Sequence, residues 1–427
     1  MKRNYYIFSN GRLLRHQNTV YLHQYEGERQ DDDELSLADG AAQAGCVLED
    51  LASECDSDVA AANGGANHAA TDKAVAVAAS LNGSDLEAGS DALVKNTLAD
   101  EPGSDAESPD VSLDDPPRKV LQKRPVPIED VEAFYVFGEM DFNTKLLNFL
   151  ARHRVPVHIF NYFGFYSSTI MPRQEINSGY LLVHQVQHYS GKSTRLALAR
   201  SFIDGASFNI LKNLRYYGAA SRGRDMSGVI ASIEADRALI ATAPDIATLM
   251  GIEGRIRYHY YNAWPIIFSA PWAEFTKRVK RPPDNPINAL ISFGNSLCYT
   301  LALSEIYRTP LSPLISFLHE PGERRYSLAL DIAEIFKPIL ADRLIFKLVN
   351  NGELRPQHFD EKLNFCYLKE SGRRIVLAQW DERLKETIKH RNLGRNVSYR
   401  RLVRLECYRL KKHLLSMEPY QPFKIWW

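Results

Sequence analysis

TRLALARSFIDGASFNILKNLRYYG, residues 194–218, repeats apolar side chains at three- and four-residue spacing. That period lays one apolar stripe along an α-helix, where a strand would alternate faces. The pattern holds from about Gln174 onward, with proline clusters at RPPDNP (281–286) and TPLSP (309–313) punctuating the helices. Residues 173–427 are therefore predicted to form a larger all-α domain. The chain before them reads differently. Asn4–Phe8 reads as a strand and Asn10-Gly11 as a hairpin turn, because both central residues of the favoured turn need positive φ. Arg12–Leu22 reads as one or two further strands. VEAFYVF (131–137) suits a buried strand, and Asn143–Ala151 a short helix with Leu146, Leu147 and Leu150 inward. Val157–Phe160 and Tyr166–Ile170 are the next strands. Residues 1–29 and 118–172 thus form a small β-rich N-terminal domain, and the fold class is α+β.

Between the two parts of that domain the composition changes. Residues 30–117 are rich in Ala, Asp, Ser and Gly and contain no Phe, Tyr or Trp. Such a segment buries too little apolar surface to offset its ordering entropy, and it is predicted to be a disordered insertion. It carries 21 acidic residues against Lys73 and Lys95, a net −19, so the zero formal charge of the chain leaves +19 on the rest. A strongly basic globular part is the electrostatic footprint of a nucleic-acid binder. The five cysteines show no CxxC spacing and suit reduced thiols. The first residues lack the apolar core of a signal peptide, and no run is apolar and long enough to span a bilayer, so a cytoplasmic location is expected.

Three segments carry candidate chemistry. In GIEGRIRYHYYNAW (251–264), Glu253 stands between two glycines that leave room for a ligand, in an early turn if a helix starts there. Taken alone, the segment reads more simply as a surface Glu paired with Arg257 one turn on. In SFLHEPGERRYSLALDIAEIFKP (316–338), His319 ends an apolar run before a Pro-Gly turn, and Asp331 and Glu334 share one helix face. Carboxylates one turn apart repel unless a cation lies between them, and oxygen donors with one imidazole suit Mg²⁺ or Mn²⁺. The blander alternatives are a capping His and a solvated acidic face beside Lys337. NPINALISFGNSLCYTLALSEIY (285–307) reads as a packed helix whose Asn288, Ser292 and Asn295 support the site at most.

Together and in this order, with YVFGEMDFNTKLLNFL (135–150), VPVHIFNYFGFYSS (155–168) and INSGYLL (176–182), these segments resemble the CRISPR-associated endonuclease/integrase family, closest to its type I members. The resemblance covers the chain outside residues 30–117. It implies a homodimer formed through the N-terminal domain, a small ferredoxin-like adaptation partner, and double-stranded DNA, both protospacer and CRISPR repeat, as substrate. It also implies a Mg²⁺ or Mn²⁺ ion held by Glu253, His319 and Glu334, the last at a position where many relatives carry Asp. Asp331 has three open roles: a fourth ligand, an acceptor for His319, or an acid–base group. The implied reaction is metal-dependent transesterification by a DNA 3′-hydroxyl. A standalone structure-selective nuclease, or a non-catalytic DNA-binding scaffold, are the alternative readings. Arg255, Arg257, Arg324, Arg325, Arg400, Arg404 and Lys411 are the expected phosphate contacts.

A −19 segment tethered to a +19 body is expected to compete with DNA for the basic surface. Deleting residues 30–117 is expected to raise DNA affinity and change its salt slope, read by fluorescence anisotropy over a salt series. Unchanged affinity and slope would make the segment a passive loop.

Overall fold

The computed structural model describes residues 2–25, 120–161, 163–172, 178–219, 223–280, 282–323, 325–362, 365–391 and 393–426. The insertion expected at 30–117 and Arg324 lie outside the described residues. The N-terminal part is two four-stranded sheets. One has the order β1 (Arg3–Ile7), β5 (Val131–Val136), β7 (Val157–Phe160), β8 (Tyr166–Ile170), parallel except for its last pair. The other has the order β4 (Val120–Pro127), β3 (Thr19–Tyr25), β2 (Gly11–His16), β6 (Met140–Phe142).

Strand β5 ties these sheets to the rest of the chain. All six of its residues are buried. Phe134 and Val136 point into a core closed by α1 (Thr144–Arg152), while Ala133 and Tyr135 on the opposite face join the large core of the helical part. Burial on both faces is why the strand reads as an apolar run interrupted only by Glu132. In α1 the inward residues are Leu146, Phe149 and Leu150, with Leu147 only partly buried. Asn143 caps that helix by accepting from Leu146 N at 2.9 Å.

Asn10-Gly11 is not the hairpin turn expected from sequence. β1 pairs with β5 and β2 pairs with β3 and β6, so this dipeptide carries the chain from one sheet to the other. Gly11 is needed for close approach: a Cβ there would fall 2.0 Å from the His23 carbonyl oxygen. The actual hairpin joins β2 to β3 at Gln17, which takes φ 50°.

The helical part contains α2 (Gly179–Ser190), α3 (Lys192–Tyr217), α4 (Ser227–Leu239), α5 (Ile246–Asn262), α6 (Pro286–Ile306), α7 (Ser327–Lys337), α8 (Arg343–Asn350), α9 (Glu370–Lys385) and α10 (Tyr399–Leu414). Helix α6 is buried almost all round, as expected for a helix at the centre of a core. The region is not all-α. Two-stranded ribbons at β9/β10 (Phe359–Lys362, Phe365–Leu368) and β11/β12 (Thr387–Lys389, Asn396–Ser398) interrupt it. Strands of three or four residues are too short to show an alternating pattern. Among the described residues no helix is long and apolar enough to cross a membrane.

His158 links the sheet to the helical core. Its Nδ1 meets Thr169 Oγ1 and its Nε2 meets Ser304 Oγ, each at 2.9 Å. Burial, reinforced by Arg400 and Arg308, lowers its pKa from 6.5 to about 3. The folded chain holds the ring neutral while the unfolded chain protonates it, so stability present above pH 6.5 is lost as pH falls toward 3. We expect His158 to contribute up to about 1.4 kcal/mol of loss per pH unit in that window. Denaturant unfolding at pH 7 and pH 5 should show a shallower pH slope for His158→Gln than for the unaltered chain; equal slopes would place the sensitivity elsewhere.

Candidate functional site

Asp245 starts α5 by accepting from Thr248 N at 2.7 Å, which puts Glu253 mid-helix and not in the early turn expected. A Cβ on Gly251 or Gly254 would meet nothing within 4 Å, but at i−2 and i+1 these glycines lie on other faces of the helix than Glu253. The i,i+4 pair read from sequence is present, with Arg257 Nε 2.9 Å from Glu253 Oε1. It does not end there. Arg257 Nη2 also donates to Glu334 Oε2 from α7, and Lys337 Nζ donates to Glu334 Oε1. Two carboxylates from helices distant in sequence thus share one guanidinium, whose planar fork can bond both at once.

Burial would raise the pKa of Glu334, but Lys337, Arg257 and His319 together outweigh it and hold the carboxyl well below the usual range. Arg257 is likewise buried. Desolvation works against its charge, and Glu334 and Glu253 more than restore it. The π-helical turn Pro338–Asp342, which follows α7, adds Asp342 to this surrounding. Burial, opposed by Arg257, pushes the Asp342 carboxyl up to about 7. Sequence reading missed Asp342 because a π turn gives it no regular register with Glu334.

Asp331 is fully buried one turn before Glu334. Its Oδ2 accepts from Phe317 N at 2.7 Å and Leu318 N at 3.0 Å. Its Oδ1 accepts from His319 N at 3.0 Å and lies 2.8 Å from His319 Nδ1. In this geometry Asp331 is the acceptor that holds the 317–319 segment and meets the His319 ring. A ring that donates from Nδ1 presents Nε2 as its basic nitrogen.

The donor chemistry of Glu253, Glu334 and His319 fits a hard divalent cation. Their present arrangement meets the carboxylate charge with Arg257 and Lys337 instead. Among the described residues no three His, Cys, Asp or Glu side chains stand close enough to hold a metal.

Most of the expected phosphate contacts are engaged internally. Arg257 belongs to the carboxylate cluster. Arg325 is buried and donates to the Glu320 carbonyl. Arg400 bonds Asn4 and Glu132, and Arg404 bonds the fully buried Glu305. Buried carboxylates claim Arg257, Arg400 and Arg404, and a backbone carbonyl claims Arg325. Arg255, half exposed, pairs with Asp236 at 2.8 Å, and Lys411 is partly buried on α10. Asn288 and Ser292 hold Arg278 in the segment before α6, at 2.9 Å each, so their support goes to that loop.

Residues 114–382 match the family model described as CRISPR associated protein Cas1. The chain belongs to the Cas1 family. It is 49% identical over 305 residues to the CRISPR-associated endonuclease Cas1 3 of Thermodesulfovibrio yellowstonii, a match covering 71% of this chain and 92% of that one. Its fold is similar to the solved CAS1 protein from Thermotoga maritima, with TM-score 0.68, 28% identity, and 98% and 99% of the two chains covered. A casposase bound to integration product shares the fold at TM-score 0.69 and 15% identity, covering 99% of this chain and 93% of that one.

Replacing Asp331 with Ala leaves three buried backbone N–H groups and the imidazole without their acceptor. We expect Asp331→Ala to cost about 3 kcal/mol in guanidinium unfolding, and Asp331→Asn, which keeps one oxygen, clearly less. A loss below about 1 kcal/mol for Ala would mean that the 317–319 segment is held by other contacts.

Proposed function

We propose that this Cas1-family chain is a metal-dependent DNA endonuclease and integrase of CRISPR adaptation, which inserts new spacers at the repeat boundary. The observation that carries the reading is the convergence of Glu253 and Glu334 on one guanidinium, with His319 held by Asp331 on the helix that bears Glu334. Family membership supplies the class of activity.

The reaction is a transesterification. The 3′-hydroxyl of incoming DNA gives its proton to water as its oxygen bonds to phosphorus at the repeat boundary, the opposite P–O3′ bond breaks, and the departing oxygen takes a proton from water. A Mg²⁺ or Mn²⁺ ion held by Glu253, His319 and Glu334 would lower the hydroxyl's pKa and offset charge on the phosphoryl oxygens. His319 offers Nε2 in an orientation set by Asp331. Glu253 and Glu334 offer carboxylate oxygens, which requires Arg257 and Lys337 to let go of them. Once released, those two cations would be free to attract an incoming phosphate. Glu334, one methylene longer than Asp, reaches further from its helix. The assembly we propose is a homodimer through the N-terminal sheets, joined by a small ferredoxin-like partner and by protospacer and repeat DNA.

Glu253→Gln and His319→Ala should each lower strand transfer by more than about 100-fold in an assay with repeat DNA, the small partner and Mn²⁺, while DNA binding stays largely intact. Normal integration by either pure variant removes that residue from the proposed site. Cleavage of branched DNA without any integration would favour a standalone nuclease.

A further inference from the structure

A cavity of about 310 Å³ opens where β1 and β5 meet the ends of α9 and α10. Seven Lys or Arg residues line it against only two carboxylates, Glu132 and Asp381, so its walls carry excess positive charge. It shares no lining residue with the Glu253–Arg257–Glu334 cluster. Three of the cations are anchored from below. Glu132, itself nine-tenths buried, pairs with Arg308 and, at 3.2 Å, with Arg400. Arg404 is fixed on the fully buried Glu305. Arg308, Arg400 and Arg404 in turn hold Glu132 below the usual carboxylate range against the opposing effect of burial. On another wall Asp381 is committed to Asn4 at 2.8 Å, Tyr6 at 3.2 Å and Lys385 at 3.2 Å.

Two further cations, Lys2 and Arg401, line the cavity and their side chains have no partner among the described residues. Like charges gathered this closely repel unless an anion joins them. The cavity also contains the start of α10. Ser398 caps that 16-residue helix by accepting from Arg401 N at 3.3 Å, and the Tyr399 N–H donates to the Glu386 carbonyl at 3.1 Å, which among the described residues leaves the Arg400 N–H as the unclaimed donor of the first turn. A helix N-terminus flanked by fixed guanidiniums is a suitable receptor for phosphate oxygens.

We infer that this cavity binds a phosphate-bearing ligand, seated against Arg400, Arg401 and Arg404 at the start of α10, with Lys2 closing over it. The phosphate comes either from a small free anion or from the backbone of DNA, and the same cations serve both. Anchoring by Glu132 and Glu305 makes Arg308, Arg400 and Arg404 a preformed floor, and Lys2 and Arg401 the groups that respond to the ligand.

The test titrates pyrophosphate and a 5′-phosphorylated DNA duplex into the full chain and into a Lys2→Ala/Arg401→Ala variant, with ionic strength matched. Neither side chain has a partner among the described residues, so the variant should keep the melting temperature of the unaltered chain; Lys412→Ala, on the same helix outside the cavity, is the bulk-charge control. Pyrophosphate binding that weakens about tenfold or more in the double variant alone supports the inference with a free anion as ligand. Absent pyrophosphate binding, a DNA salt slope reduced by about 1.8 in the double variant supports it with backbone phosphate as ligand. Equal affinities and slopes in all three proteins overturn it, as does a loss with Lys412→Ala per cation as large as in the double variant. Should the double variant melt lower, Arg401→Gln alone is read the same way, with a slope change of about 0.9.

Discussion

A buried carboxylate must have a cation or a full set of hydrogen-bond donors, and the helical part of this chain is arranged around that requirement. Glu253 on α5 and Glu334 on α7 would repel one another if left alone in a low-dielectric interior. Arg257 bonds both, and Lys337 takes the second oxygen of Glu334. The two helices are therefore joined by charge as well as by packing. What lies between them is a place for positive charge, filled here by side chains and suited in its donor chemistry to a divalent ion. Exchange of one for the other is the physical core of the proposed activity.

The same logic acts one turn earlier on α7. Asp331 is buried without a cation and is instead satisfied by three backbone N–H groups and the His319 ring. Four donors on one carboxylate fix a segment that has no regular secondary structure. His319 is consequently positioned by α7, the helix that also bears Glu334. Two of the proposed ligands thus move as one unit, and α6, buried almost all round, packs against that helix. Elsewhere the rule recurs with different consequences: Glu305 and Glu132 claim Arg404, Arg308 and Arg400, turning an apparent basic stripe on α10 into the floor of a cavity.

Much of this was legible in the sequence. Periodicity placed the long helices, and the apolar run of residues 131–137, broken only by Glu132, marked the strand buried on both faces. Glu253, His319, Asp331 and Glu334 were picked out by spacing and by family resemblance, and the structure brings them into one region. The errors have a common origin in tertiary context. Asn10-Gly11 has hairpin chemistry, but the next strand belongs to the other sheet, and only the His23 carbonyl explains the glycine. Arg257, Arg325, Arg400 and Arg404 look like phosphate contacts in a linear reading because their acidic or carbonyl partners come from other elements or sit where a list of cations does not show them. Asp342 was invisible because a π turn has no sequence period.

The central claim is that one divalent cation displaces Arg257 and Lys337 from a site made by Glu253, His319 and Glu334. Anomalous diffraction from crystals of the full chain grown with Mn²⁺ tests it most directly. The account predicts a single strong peak bonded to His319 Nε2 and to carboxylate oxygens of Glu253 and Glu334, with the Arg257 guanidinium moved off both. A peak bound elsewhere, or none while Arg257 still bridges the two carboxylates, would contradict it.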